Sequence, residues 1–303
     1  MIVVVALGGN AIKKPKGNGT FDEQYDTVNC VCHHLAEAYS KGYSLIITHG
    51  NGPQVGDILL QQEASKNLVP PMPLDVCGAF SQGFIGYMIQ QNLKNIMDVD
   101  VVTLITQVVV DRNDTAFQHP TKPIGPFYDK SQAEEMKNRG LPVIEDSGRG
   151  YRRIVASPKP KRIVEARIIK QLVENNVVIV AAGGGGVPVF ENGKLSGLEA
   201  VIDKDLTACE LAIECEADIL LIATDVSNVY LNYRSENKIA LERVYAADLE
   251  KYLSDNQFGI GSMEPKIVAA LRFVRTTGKK VIITSDKEIM EALEGKAGTV
   301  ILP

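Results

Sequence analysis

Three glycine clusters in this chain each follow directly on an apolar run that is typical of a buried β-strand. They are Gly8–Asn10, Gly50–Gly52 and Gly183–Gly186. Because glycine has no Cβ, backbone N–H groups at such turns can face an anion at close range, and a helix that begins there adds its positive end. Three turns of this kind predict a site for several phosphoryl or carboxyl oxygens, which favours phosphoryl transfer.

Charged residues beside predicted helix starts are the second feature. Asp203 and Lys204 precede a helix that Asp205 is expected to cap, and Lys266 falls in the first turn of a later helix. A lysine there opposes the helix dipole, a penalty that a bound phosphate would reverse. At an effective dielectric of about 20, one lysine about 4 Å from a phosphoryl oxygen contributes roughly 4 kcal/mol, or on the order of a thousandfold in rate. Taken alone, however, the Asp203–Lys204 pair is more typical of a solvated surface.

The chain lacks the two commonest nucleotide-binding motifs, G-x-x-x-x-G-K-[ST] and G-x-G-x-x-G. Thr224 and Asp225 follow another apolar run, at the kind of sheet edge where open α/β folds bind ligands. The sequence therefore argues against a P-loop or Rossmann site. The glycine turns and these strand-end residues are the remaining candidates.

Strand-like and helix-like segments alternate along the chain, which predicts an α/β fold with a mostly parallel sheet. The predicted strands are 2–7, 44–48, 100–110, 177–182, 218–223 and 280–284. The predicted helices are 24–40, 53–65, 75–95, 161–175, 205–215, 246–253, 264–277 and 286–293. Such a sheet would place the turns at one ligand-binding edge.

Residues 112–156 interrupt this alternation, because they are rich in proline, glycine and charge and lack a long apolar face. A short helix is predicted within them, near Ser131–Arg139. A long solvated insertion is one interpretation, but segments of this length in a compact enzyme are more often functional. The favoured expectation is a small protruding lid subdomain, inserted in a single domain that spans 1–303.

The composition is that of an ordinary globular protein, with 45% hydrophobic and 23% charged residues among 303. A net charge of −5 argues against nucleic acid as the main partner. No apolar run approaches the roughly 18 residues of a membrane span, and neither a membrane partner nor a signal peptide is expected. The odd number of cysteines, five, favours reduced thiols and a cytoplasmic location.

The segment Cys30–His34 has the residue types of a metal site but not the spacing of a standard zinc pattern. It lies inside a predicted helix, where Val28, Cys32 and Leu35 fall on one face. A buried cysteine there behaves as a small hydrophobe. A structural role is the favoured interpretation, and no metal-binding side chains are predicted.

Five motifs, taken in order, resemble the carbamate kinase branch of the amino acid kinase family. They are Ala6–Ala11, Thr48–Gly56, Lys122–Pro126, Ala182–Val189 and Asp203–Asp205, and they span nearly the whole chain. The resemblance is specific, because the related acetylglutamate and uridylate kinases share the glycine turns but not the lid motif. It implies an open three-layer α-β-α sandwich. The acid substrate would bind to the N-terminal half and the nucleotide to the C-terminal half.

The resemblance also implies an activity, namely reversible phosphoryl transfer between ATP and carbamate, giving ADP and carbamoyl phosphate, with Mg²⁺ on the nucleotide. It assigns catalytic roles to Lys122, Lys204, Lys266 and Asp203. It places the acid substrate against Gly8, Gly9, Asn10, Gly50, Asn51 and Gly52. It places the nucleotide near Gly184, Gly185, Thr224, Asp225, Met263 and Pro265.

The sequence departs from the family pattern in two places. Many amino acid kinases carry a lysine just before the first glycine pair, where this chain has Ala6 and Leu7. In carbamate kinases a lid lysine substitutes for it, and Lys122 is the match. Glu264 stands where smaller residues are usual, on the expected adenine side of the site. The resemblance further implies that Asp203 orients the catalytic lysines.

Two other functions compete with this activity. One is a kinase of another small acid or phosphonate, against which the lid motif argues. The other is a nucleotide or metabolite sensor without catalysis, against which the presence of all three lysines argues. For the kinase itself, ATP synthesis in arginine catabolism and supply of carbamoyl phosphate are alternative roles.

The predicted helix between Leu74 and Leu93 is apolar on more than one face. A helix of this kind needs burial on two sides. The related kinases use a helix in this region at a twofold interface. The chain is therefore expected to form a homodimer, with burial inside one subunit as the alternative.

Overall fold

The structure is a computed structural model that describes residues 1–14, 17–146, 148, 150–233, 235–259 and 261–303. Residues 147 and 149 of the predicted lid lie outside the described residues. The helices are α1 (Phe21–Ser40), α2 (Gly52–Ser65), α3 (Leu74–Ile96), α4 (Lys130–Asn138), α5 (Ala166–Glu174), α6 (Lys204–Glu214), α7 (Ala246–Ser254), α8 (Met263–Thr277) and α9 (Ile289–Leu293). The strands are β1 (Ile2–Leu7), β2 (Ser44–His49), β3 (Val101–Thr103), β4 (Gln107–Val110), β5 (Lys122–Tyr128), β6 (Val143–Glu145), β7 (Tyr151–Val155), β8 (Pro160–Ile163), β9 (Val178–Val180), β10 (Val187–Glu191), β11 (Leu195–Gly197), β12 (Ile219–Thr224), β13 (Val229–Leu231), β14 (Ile239–Leu241), β15 (Arg243–Tyr245), β16 (Val281–Ser285) and β17 (Thr299–Leu302).

A large central sheet has eight strands among the described residues, in the order β15-β17-β16-β12-β1-β2-β9-β3. Neighbouring strands are parallel except for β16 and β17. The central strands are continuous apolar runs, as in β1, where Val3, Val4 and Val5 are all fully buried. Such runs are typical of a parallel sheet that is covered on both faces.

Helices cover both faces of this sheet. Successive side chains of β1 alternate between the faces. Val4 packs with residues of α5, α6, α7 and α8, whereas Val3 and Val5 pack with residues of α1, α3 and α9. The fold is therefore a three-layer α-β-α sandwich, and the predicted fold class is confirmed. In the part of the chain that the structure describes, no helix combines the length and apolarity of a bilayer span.

The predicted strand 100–110 is wrong as a single element, because it breaks into β3 and β4, which lie in different sheets. Thr106 lies at the break and pairs with the buried amide of Gln82. The Gln82 oxygen accepts from Thr106 N at 2.8 Å, and Gln82 Nε2 donates to Thr106 O at 3.1 Å. The side-chain amide thus satisfies the backbone where the strand ends, and β4 joins the sheet β11-β10-β4-β8.

The start of the predicted helix 161–175 is also wrong, since β8 occupies Pro160–Ile163 and α5 begins only at Ala166. Ile163 pairs with Val108 of β4 and is buried, so tertiary packing overrides the helical pattern. Several short strands were not predicted from the sequence. One of them is β17, which lies antiparallel to β16.

A separate sheet, β5-β7-β6, lies with α4 inside the predicted lid segment. α4 matches the predicted short helix and begins at a capping box formed by Asp129 and Gln132. The lid sheet packs on α2, because Ile124 of β5 shares an apolar cluster with Val55 and Leu59. The lid segment is therefore in contact with the helix that follows the second glycine turn.

Two glycines let the backbones of α2 and the lid approach closely. A Cβ on Gly56 would lie 2.0 Å from both Cα and N of Gly125. Because the nearest atoms to a Gly56 side chain would be backbone, no rotamer change could make room for one. An ion pair at 2.5 Å between Glu63 of α2 and Arg153 of β7 also joins the two elements.

We expect Gly56→Ala to lower the free energy of unfolding by about 1–3 kcal/mol, because the added methyl group must push two backbones apart. Chemical denaturation followed by circular dichroism measures the change. Gly78→Ala in α3 is the matched control. A Cβ on Gly78 meets no atom within 4 Å, so that variant should gain helix propensity and lose no stability. Equal stability of the two variants would contradict the close packing of the lid on α2.

Candidate active site

The turns that follow β1, β2 and β9 meet at one edge of the sheet, since these strands are parallel neighbours. Gly50 N donates to Leu7 O at 3.0 Å. A Cβ on Gly50 would lie 3.4 Å from Gly9 N and 3.6 Å from Lys204 Cδ. The structure thus brings two predicted turns and one predicted lysine to the same point.

The glycine cluster after β9 is fastened to the end of β2. Thr48 Oγ1 donates to Ala182 O at 2.9 Å. Gly184 lies against the side chain of Asn51, and a Cβ there would be 2.0 Å from Asn51 Nδ2. Gly184 also has a φ of +64°, which disfavours other residues. The cluster therefore packs tightly against the second turn.

His49 is a buried residue at this contact that the sequence analysis did not single out. A Cβ on Gly183 would lie 2.2 Å from His49 Nε2, and His49 Nδ1 lies 3.1 Å from the Gly50 carbonyl oxygen. Burial lowers the pKa of His49 to about 4, although the hydrogen bond to Gly50 opposes the shift. His49 is therefore uncharged near neutral pH and fills the space between two turns without adding a cation.

Asp203 connects the start of α6 to the lid. Lys122 Nζ of β5 lies 2.6 Å from Asp203 Oδ2. Asp203 Oδ1 accepts from Asp205 N at 2.9 Å, so Asp203 is the N-cap of α6. The prediction that Asp205 caps this helix is wrong, because the helix begins at Lys204. By direct contact, Asp203 orients one of the three predicted lysines, Lys122.

Asp205 holds the other two lysines. Lys204 Nζ lies 2.5 Å from Asp205 Oδ1, and Lys266 Nζ lies 3.1 Å from Asp205 Oδ2. Only 4% of the Asp205 side chain is exposed, which leaves little room for water. The family resemblance implied the orienting role for Asp203 alone, and Asp205 was expected only to cap the helix. The pattern that could have revealed it is a carboxylate on each side of Lys204.

These contacts determine the charge of each group. Burial raises the pKa of Asp205, but the Lys204 and Lys266 ammonium groups outweigh it and hold the pKa below its usual range. Burial lowers the pKa of Lys204, and Asp205 opposes that shift only in part. Burial also acts on Lys266, but there Asp205 prevails and the pKa is raised. Asp205 is therefore ionised, and Lys204 is the less basic of its two partners.

Three ammonium groups and two carboxylates thus lie around the start of α6, and the cations are in excess. The N-terminus of α6 adds a partial positive charge. This arrangement attracts an anion with more than one negative charge, and it can neutralise a group whose oxygens gain charge. Those are the requirements of phosphoryl transfer.

The residues predicted near the nucleotide divide into two groups. Thr224 lies at the end of β12, where a Cβ on Gly8 would be 3.6 Å from its Cα, and its hydroxyl donates to Asp225 at 3.1 Å. Asp225 also contributes to the raised pKa of Lys266. These two residues therefore share the sheet edge with the lysines.

The second group consists of Met263, Pro265, Gly184 and Gly185. Met263 and Pro265 lie in the first turn of α8, as Lys266 does. In the glycine cluster, Gly185 N donates to Ala182 O at 3.1 Å, inside the turn. Gly184 and Gly185 thus pack strand ends together, and their contact with a nucleotide stays a prediction.

Cys32 packs in the core, as the sequence analysis favoured. Its thiol lies 3.9 Å from the Ile89 carbonyl oxygen, and burial raises its pKa to about 12. Cys30 is exposed. Leaving aside the few residues outside the description, no three His, Cys, Asp or Glu side chains gather as metal ligands.

Comparisons with known proteins define the class. The model of the amino acid kinase family matches residues 1–285. A carbamate kinase of Pyrococcus horikoshii is 51% identical over 99% of this chain and 99% of its own, and one of Trichomonas vaginalis is 46% identical over 100% of both. The solved carbamate kinase of Giardia lamblia bound to AMP-PNP superposes with a TM-score of 0.91 at 44% identity, over 99% of this chain and 98% of that one. A UMP kinase of Bacillus anthracis, at 14% identity and a TM-score of 0.57, shares the fold alone.

The chain therefore belongs to the amino acid kinase family. Its high-identity, full-length relatives are carbamate kinases. The resemblance predicted from the five motifs is confirmed, and so is the predicted amino acid kinase-like fold.

We expect Asp205→Asn to lower the free energy of unfolding by about 3–5 kcal/mol near neutral pH, because two buried lysines lose their shared counter-charge. The pKa of Asp205 is lowered in the folded state, so its contribution is complete above its usual pKa of 3.8 and is lost as the pH falls further. The difference between wild type and variant should be constant from pH 8 to about pH 5 and shrink below about pH 4. Denaturant titrations across this range measure it.

Asp111→Asn is the matched control, since Asp111 pairs with Lys161 at 2.7 Å on the surface. Its loss should leave stability nearly unchanged at neutral pH. An Asp205→Asn protein as stable as this control would show that the buried pairing contributes nothing.

Proposed function

We propose that this protein catalyses reversible phosphoryl transfer between ATP and carbamate, giving ADP and carbamoyl phosphate. The observation that carries the proposal is the set of charges where the glycine turns meet: Lys122, Lys204, Lys266, Asp203 and Asp205. As a member of the amino acid kinase family, the chain is an ATP-dependent phosphotransferase. Carbamate is supported as its substrate by relatives that carry the name carbamate kinase at 46–51% identity.

The acid substrate would bind at the turns after β1 and β2. The residues proposed to line it are Gly8, Gly9, Asn10, Gly50, Asn51 and Gly52. Gly52 is the first residue of α2 and adds the positive end of that helix. One N–H of the Asn51 side-chain amide donates to Ser81 Oγ at 2.8 Å, which fixes the orientation of that side chain. Asn51 is proposed to contact the substrate through its backbone N–H.

The transfer itself needs positioning and charge neutralisation more than covalent chemistry. Carbamate attacks through an oxygen that is already ionised, so no general base is required. Lys204 and Lys266 would neutralise the transferring phosphoryl group, with Asp205 fixing both ammonium groups. Lys122 would approach from the lid, oriented by Asp203.

The nucleotide would bind to the C-terminal half of the chain, between the end of β12 and the start of α8. The residues proposed to contact it are Gly184, Gly185, Thr224, Asp225, Met263 and Pro265. The Giardia relative binds AMP-PNP, which supports a nucleotide site in this fold. Mg²⁺ bound with the nucleotide would neutralise charge on its phosphates.

The side chains present fit a magnesium ion that phosphates and water hold. Asp203 and Asp205 are already bound to lysine ammonium groups, and the exposed carboxylate of Asp225 accepts from Thr224. Magnesium in kinases commonly keeps several waters and is bound mainly through substrate phosphates. No protein ligand is therefore proposed for it.

We further propose that residues 112–156 act as a lid subdomain on the single domain and bring Lys122 to the substrate. All five cysteines lie among the described residues and are unpaired, which supports the cytoplasm as the place of action. Both ATP synthesis in arginine catabolism and carbamoyl phosphate supply are compatible with a reversible reaction.

A coupled assay of ATP formation from carbamoyl phosphate and ADP tests the function. Wild type should form ATP, and Lys204→Ala should lose on the order of a thousandfold in rate, the worth of one ammonium group in the transition state. Lys161→Ala is the matched control, because Lys161 is an exposed lysine that pairs with Asp111. It should keep wild-type activity. A folded Lys204→Ala enzyme within about threefold of wild type would contradict the catalytic role, and a wild type that forms no ATP would contradict the function.

We also propose a homodimer built on α3. Phe80 and Tyr87, one heptad apart, are 47% and 51% exposed, whereas Ile85 and Met88 of the same helix are fully buried in the core. The exposed rings need a partner surface, and in a closed twofold dimer the same patch meets its own copy. Light scattering should give about twice the 33.0 kDa of one chain. The double variant Phe80→Glu, Tyr87→Glu should give one chain mass, and a wild type of one chain mass would rule the dimer out.

A further inference from the structure

The start of α2 has the sequence of a capping box, with Asn51 as the N-cap and Gln54 three residues later. In a capping box, each of these two side chains satisfies a backbone N–H group at the helix start. Within the described part of the chain, however, no side chain caps α2. Asn51 Nδ2 donates to Ser81 Oγ, and Gln54 Nε2 donates to Gln24 Oε1 at 2.8 Å. No side chain therefore competes with an anion for the backbone N–H groups at this helix start.

A backbone carbonyl determines which way the amide of Gln54 faces. Gln24 Nε2 donates to Gly19 O at 2.8 Å, and a carbonyl oxygen can only accept. The other end of the Gln24 amide, Oε1, must therefore face Gln54 and accept from it. Since Gln54 presents Nε2 to Gln24, its own Oε1 is turned away from Gln24.

Gln54 Oε1 is a buried acceptor that no described residue satisfies. The residue is only 4% exposed, and no donor among the described residues lies within hydrogen-bond distance of this oxygen. A buried acceptor without a partner is costly and uncommon in folded proteins. Gln54 lies in the same first turn of α2 as Gly52, which is proposed to line the acid substrate. A donor on the bound acid would supply the partner that Oε1 lacks.

Carbamate and carbamoyl phosphate carry such a donor. Their amino group is attached to a carbonyl carbon, so it has two N–H donors and, like an amide nitrogen, accepts no hydrogen bond. Their oxygens only accept, and the backbone N–H groups of the turns suit them. Acetate and acetyl phosphate have nearly the same shape but place a methyl group where the amino group lies. An acceptor beside that group therefore distinguishes the two kinds of acid.

We propose that Gln54 is a substrate contact that determines specificity: its Oε1 accepts a hydrogen bond from the amino group of carbamate or carbamoyl phosphate. The proposal rests on the proposed function. A site with a buried acceptor for a substrate N–H group rejects an analogue without that group strongly, because the acceptor is then left unpaired. Lys204 and Lys266 do not contribute to this choice, since the phosphoryl group they are proposed to bind is the same in acetyl phosphate.

Steady-state kinetics of wild type and Gln54→Met test this inference, with carbamoyl phosphate as the donor and acetyl phosphate as a competitive inhibitor. In wild type, the inhibition constant of acetyl phosphate should exceed KM for carbamoyl phosphate by at least about 100-fold. Methionine keeps the length of the side chain and removes the amide oxygen. In Gln54→Met, kcat/KM for carbamoyl phosphate should fall about 5- to 100-fold, the usual effect of leaving one buried hydrogen-bonding group without its partner. The inhibition constant of acetyl phosphate should not rise by more than about threefold, because its methyl group loses no hydrogen bond.

Gln24→Met separates this role from a structural link between α1 and α2. It removes the partner of Gln54 Nε2 and leaves Oε1 in place, so any loosening of the helix start should affect both acyl phosphates by the same factor. If Gln24→Met reproduces the selective effect of Gln54→Met, or if Gln54→Met changes both acyl phosphates equally or neither, Gln54 is not a substrate contact. A wild type that binds the two compounds equally well would also show the inference to be wrong. The proposed function is tested separately by turnover of carbamoyl phosphate in wild type, before any variant is compared.

Discussion

Asp205 is buried at the carboxyl edge of the sheet with a lysine ammonium group on each of its oxygens. A carboxylate in such a place is tolerated only when it is paired, and so are the two lysines. The pairing joins α6, which carries Lys204, to α8, which carries Lys266. The two cations therefore cannot be placed independently, because the position of each depends on the same buried carboxylate.

This constraint extends to the turns around it. Lys204 packs against Gly50, and Gly50 packs against Gly9. The turns after β1 and β2 therefore pack around the lysine that Asp205 holds. Thr48, His49 and Asn51 then bind the end of β2 to the glycine cluster after β9. Position 184 requires glycine mainly because the Asn51 side chain packs directly against it, rather than because an anion would bind there. An uncharged His49 completes the contact, since a third buried cation beside Lys204 would have no carboxylate to share.

The positions of the glycine turns and of the start of α6 could be predicted from the sequence, because local patterns of residue types indicate them. Apolar runs that end in glycine located β1, β2 and β9, and the charged motif Asp203–Asp205 located the start of α6. No local pattern indicated the contacts between residues that lie far apart in the sequence. Gln82 satisfies Thr106 across 24 positions, and this contact breaks a strand that reads as continuous. Likewise, Asp203 meets Lys122 across 81 positions and Asp205 meets Lys266 across 61 positions, and these distant contacts distinguish the roles of the two carboxylates.

Residues 112–156, the predicted lid segment, are the part of the proposed site that local sequence pattern explains least. Lys122 lies on β5 within this segment, and the backbone contact of Gly56 with Gly125 packs the segment against α2. The Lys122–Asp203 ion pair is more exposed than the pairs of Asp205, since 27% of the Lys122 side chain is exposed against 12% for Lys204 and 13% for Lys266. A phosphoryl group that carries two charges attracts Lys122 more strongly than this single carboxylate does. Asp203 can therefore orient the ammonium group and still release it, which buried Asp205 cannot do for Lys204 and Lys266.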